Sequence, residues 1–84
     1  MTRVTGIVRG SDGRPVRDAV VQFVAGPGSW PDTAQLTGPD GQFSLAAPAR
    51  GPYRVQVNAP GHEAVTVDFD VADEIEIAQD VALP

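Results

Sequence analysis

The 84-residue sequence predicts an all-β fold, a seven-stranded antiparallel sandwich of two sheets. Three observations predict it. Apolar residues recur at period two along most of the chain, and no segment keeps the i, i+3, i+4, i+7 spacing for the dozen or so residues a helix needs. Nine glycines and eight prolines punctuate these runs, so the surplus of breakers reads as turns. The last third alternates most regularly, with acids on the parity opposite the apolar residues, as in a sheet with one solvated face.

The elements follow in order. Val4, Gly6 and Val8 share one face of a first strand, which ends at the turn Asp12-Gly13. Pro15 lacks an N–H and belongs before the next ladder, not inside it. A second strand covers Ala19–Ala25, with Ala19, Val21 and Phe23 pointing one way. The stretch Gly26-Pro27-Gly28-Ser29-Trp30-Pro31-Asp32 is the longest irregular segment, and a short third strand near 33–37 leads into Gly38-Pro39-Asp40-Gly41. Phe43 and Leu45 face inward on the fourth strand, and Tyr53, Val55 and Val57 on the fifth. After Ala59-Pro60-Gly61-His62, the residues Val65, Val67, Phe69, Val71, Ile75 and Ile77 form an apolar series. Asp73 interrupts it, which places a turn at 71–74 between strands six and seven, and Val81 and Leu83 close the core.

Composition excludes several functions. Without cysteine there is no disulfide and no thiolate to bind metal or attack a substrate. No apolar stretch approaches the roughly 20 residues that span a bilayer, so no membrane insertion is expected. The chain starts without the apolar core of a signal peptide, so it is either a whole protein made without an export signal or an excised domain. Charge is uneven. Residues 1–54 carry six Arg against four Asp, a net of +2, whereas residues 55–84 carry seven acids and no base, a net of −7. Nucleic acid and anionic lipid are therefore not expected partners for that acidic third.

The ordered motifs Val4-Thr5-Gly6-Ile7-Val8, Gly13-Arg14-Pro15-Val16, Asp40-Gly41-Gln42-Phe43-Ser44-Leu45 and Gly51-Pro52-Tyr53-Arg54-Val55 resemble a carboxypeptidase regulatory-like domain, a transthyretin-like (Ig-like) β-sandwich. The resemblance covers nearly the whole chain and implies one domain over 1–84. It implies a non-catalytic accessory module that mediates packing or adhesion, without a cofactor. For an excised domain it leans to a surface or extracytoplasmic context. One departure is Gly38-Pro39, where the family usually has a Thr-Asp pair. Related hydroxyisourate hydrolases use several histidines and a Tyr-Arg-Gly-Ser tail, whereas this chain has one histidine and ends Val81-Ala82-Leu83-Pro84.

No enzyme is expected from the residues themselves. Ser11, Ser29 and Ser44 share a single histidine, and two of the three lie in turns, where serine satisfies backbone groups. Alternating acids on a strand project in a row and do not converge, so no metal site is expected. If successive strands reverse direction, the turns at Asp12-Gly13, Pro39-Asp40-Gly41 and Gly61-His62 gather at one end of the sandwich. Gly26–Asp32, Ala47–Gly51 and Val71–Glu74 gather at the other. That second end carries the expected partner-binding residues Trp30, Arg50 and Asp73. A protein partner is the first expectation. A carbohydrate-binding module that stacks sugar on Trp30 is the alternative, since Phe23, Phe43, Tyr53 and Phe69 fall at inward positions.

Overall fold

Period-two patterning becomes two packed sheets in the computed structural model, which describes residues 2–28, 34–73 and 75–84. Eight strands are seen: β1 (Thr2–Arg9), β2 (Val20–Ala25), β3 (Gln35–Leu36), β4 (Gln42–Ala47), β5 (Gly51–Asn58), β6 (Val65–Val71), β7 (Glu76–Ala78) and β8 (Val81–Ala82). One sheet runs β4-β1-β7, with β8 also on β1, and the other runs β3-β2-β5-β6. The inward positions of every strand but β3 build the core. Val4, Val8, Ala19, Val21, Phe23, Phe43, Leu45, Tyr53, Val55, Val57, Val71, Val81 and Leu83 are all buried, and burial of this kind is what stabilises a two-layer sandwich.

Among the described residues the strand count is eight, not seven, because the last strand is broken. Gln79 N donates to Thr5 O at 2.7 Å, and the next ladder bond comes from a side chain: Ile7 N donates to Asp80 Oδ1 at 3.0 Å. The Asp80 carboxylate thus takes the place of a main-chain acceptor, and the ladder resumes at Val81 as β8. Both pieces pair with β1 in parallel, Val4 opposite Ile77 and Val8 opposite Val81, while the other strand pairs are antiparallel.

This break also explains Gly6. A Cβ there would lie 2.1 Å from Gln79 O and 2.8 Å from the Phe43 ring, so only glycine admits both the crossing carbonyl and the ring. Ile75, expected on the inward series, is 87% exposed. Its carbonyl accepts from Arg3 N at 2.9 Å, so it joins the β1 ladder, yet no opposing layer covers its side chain there. Val65, Val67, Phe69 and Ile77 pack against the core but stay only half-buried.

Candidate partner-binding end

The two ends of the sandwich are assembled differently. At the end that carries Asp12-Gly13, the connecting segments bond to β1 and to one another. Val8 N donates to Gly41 O at 2.8 Å, and Val16 N donates to Val8 O at 2.8 Å. Buried Thr37 accepts from Ala19 N at 2.9 Å and donates its hydroxyl to Val16 O at 2.7 Å. Gly41 sits at φ 75°, where a Cβ would meet Val8 O at 2.5 Å. Asp12 has the local role a turn gives it, its carboxylate accepting from Arg14 N at 3.0 Å. This end is closed by its own hydrogen bonds.

The opposite end gathers the segments 26–28, 47–51 and 71–73, as strand alternation predicts. Tyr53 is buried, and its hydroxyl both accepts from Ala49 N at 3.0 Å and donates to Ala49 O at 2.8 Å, fixing the β4–β5 turn. That turn presents Arg50, whose Nη2 is paired with Asp73 Oδ1 of the β6–β7 turn. The two side chains are 75% and 78% exposed, so the pair links the turns at the surface without being buried. Pro27 packs against Gly51, 3.0 Å from where a Cβ would stand. Arg50 and Asp73 are thus brought together, while Trp30 lies outside the described residues.

Two hollows open at this end. One, of about 370 Å³, is lined by Thr2, Ala47, Pro48, Arg50, Asp73 and Ile75. The other, of about 610 Å³, is lined by Gly26, Pro27, Pro52, Tyr53, Phe69 and Asp70. Neither has a serine or histidine among the described residues that line it. Among the described residues, no group of three or more His, Cys, Asp or Glu could hold a metal ion. Of the described aromatic side chains, Phe23, Phe43 and Tyr53 are buried, and Phe69 stacks on Tyr53 with ring centroids 6.0 Å apart.

Ile75 is the surface residue that sequence reasoning missed. Its only local signal is its place directly after the turn that Asp73 announces, one residue before β7. A second ion pair lies on the adjoining sheet face. Arg54 and Asp68 are cross-strand neighbours, with Arg54 Nε 2.8 Å from Asp68 Oδ1. The hydrogen bond from Arg54 holds the Asp68 carboxyl below its ordinary value, and Asp68 in turn raises Arg54.

The model of the carboxypeptidase regulatory-like domain family matches residues 3–84. The chain belongs to that family. Solved structures share the fold of this carboxypeptidase regulatory-like domain. One is the dioxygenase domain of a dioxygenase carbohydrate-binding protein fusion from the cellulolytic bacterium Streptomyces sp. SirexAA-E. It has TM-score 0.70 and 21% identity, and the match covers 98% of this chain and 78% of that one. Another belongs to a C-terminal interface mutant of the type II cohesin–X–dockerin complex of Acetivibrio cellulolyticus. It has TM-score 0.72 and 14% identity, and the match covers 99% of this chain and 57% of that one. At these identities the likeness is one of fold. No curated protein sequence matches the chain.

Proposed function

We propose that this carboxypeptidase regulatory-like domain is a non-catalytic accessory or assembly module that packs against, or presents, a protein partner through its Arg50–Asp73 end. The observation that carries this reading is the exposed apolar side chain of Ile75 beside an exposed, pre-paired Arg–Asp couple. An apolar anchor rimmed by charge is the composition of a protein contact. A structural neighbour taken from a cohesin–X–dockerin complex supports the idea that this sandwich serves in protein assemblies.

The test is photocrosslinking in cells of the source organism, with the reactive residue in place of Ile75 or, as the contrast, of His62 at the closed end. A discrete crosslinked protein is expected from position 75 alone, and Arg50→Glu should abolish it. The same pattern from both positions, or none from position 75, would sink the proposal.

A further inference from the structure

We propose that the free edge of β6 is a docking site for an extended, basic segment of another protein, added as a further strand to the β3-β2-β5-β6 sheet. This surface is separate from the Arg50–Asp73 end and is argued from different observations.

The first observation is which main-chain groups the edge offers. Thr37 N donates to Ala19 O, so the odd residues of β2 turn their main chain toward β3 and the even ones toward β5. Val20 and Gln22 pair with Asn58 and Gln56, so the even residues of β5 face β2 and its odd residues face β6. Pro52, which has no N–H to give, falls in the even set, as it should. The odd residues of β6 therefore bond to β5. The N–H and C=O groups of Thr66, Asp68 and Asp70 point away from the sheet, on a strand that pairs with β5 alone among the described residues.

The second observation is that β6 is the edge left open. Among the described strands, β3 has two residues and β7 three, too short to template a partner. β4 is longer, but its inward residues Phe43, Leu45 and Ala47 are buried, so the sandwich is already closed there. β6 has seven residues, pairs with β5 over seven consecutive positions without a bulge, and leaves Val65, Val67 and Phe69 half-buried. An added strand with apolar residues on alternate positions would cover them.

The third observation selects the occupant. In an added strand, the residues opposite Thr66, Asp68 and Asp70 stand on the outer face beside those carboxylates. Asp68 already has Arg54 on its β5 side, whereas Asp70 faces Pro52 and has no ion-pair partner among the described residues. No Lys or Arg occurs anywhere in 55–84. A second copy of this chain, pairing β6 to β6, would set Asp68 and Asp70 against their own kind and is repelled. Lys or Arg at alternate positions would extend the row begun by Arg54 and Asp68. The same acids that exclude self-pairing thus admit a basic strand.

The probes are a short peptide alternating Lys with Val and its counterpart with Glu for each Lys, titrated into the labelled domain while amide resonances are followed. The Lys peptide is expected to shift Thr66, Asp68 and Asp70 most, protect their N–H groups from exchange, and bind at least about tenfold tighter than the Glu peptide. Asp70→Lys should reverse that preference. Thr66→Pro, which removes one outward N–H while sparing both acids, should weaken the Lys peptide. If that variant does not fold, Asp70→Lys decides alone. Arg50→Glu should leave peptide binding unchanged, so this result and the crosslinking result fail independently. Equal affinity for the two peptides, shifts centred elsewhere, or β6 shifts that follow protein concentration without peptide would overturn the proposal.

Discussion

At the end of the sandwich that carries Gly41, loops are hydrogen-bonded through the main chain to β1 and to one another. At the end that carries Arg50, they meet chiefly through exposed side chains. The first arrangement couples each turn to the ladder, so any change there disturbs the core. The second leaves its turns free to vary in sequence while the strands beneath stay fixed, which is where a binding surface is compatible with a small core. The contrast teaches that, in a domain this size, rigidity and recognition occupy opposite ends.

The largest expected effect breaks the closed end. Gly41→Ala forces an L side chain into positive φ and onto Val8 O, and should cost about 3 kcal/mol. That is a large part of the roughly 4–12 kcal/mol such a domain possesses, and a urea melt should show the midpoint fall with little change in slope. Thr37→Val keeps the shape but leaves Ala19 N and Val16 O without their partner. It should cost about 2 kcal/mol in the same melt. A loss below about 0.5 kcal/mol would show that the closed end is not held as described.

At the open end the effects shrink. Tyr53→Phe keeps the ring and removes the hydroxyl that holds Ala49, and should cost about 1 kcal/mol. Arg50→Ala should leave the thermal midpoint unchanged within error while lowering partner crosslinking. A clear drop in midpoint would make the pair structural and erase the contrast between the ends. Smallest is the pH effect of Asp68. Its folded carboxyl is held below the ordinary value, so its contribution is fully present above about pH 4 and is lost as pH falls through the depressed folded value. Comparing wild type with Asp68→Asn across that acid range should show the difference vanish at the low end.

Much of this architecture was legible in the sequence because it rests on alternation and on turn residues. The inward residues from Val4 to Val57 were readable by parity, and the gathering of Arg50 with Asp73 followed from counting strand reversals. What was not legible depends on contacts between distant segments. The break at Gln79–Asp80 exists because a carboxylate reaches Ile7 N, and nothing in the local pattern shows that. Gly6 read as one more inward position, though its absent side chain makes room for the Gln79 carbonyl. Ile75 and Phe69 kept the apolar parity, but burial needs an opposing layer as well as a parity. The opposing sheet covers neither residue fully.

The strand β1 lies between β4 on one side and β7 and β8 on the other, so the first strand of the domain needs the last two to complete its sheet. Val8 meets Val81, and Leu83 N donates to Arg9 O at 2.8 Å, across almost the full length of the sequence. Closing so long a loop must precede the reward for making those contacts, which places folding on the slow side for a domain of this size. During synthesis β1 can zip to β4 early, yet it must wait with one edge bare until residues 76–83 leave the ribosome. The domain therefore folds by completion at its end, and its most vulnerable moment is the interval just before.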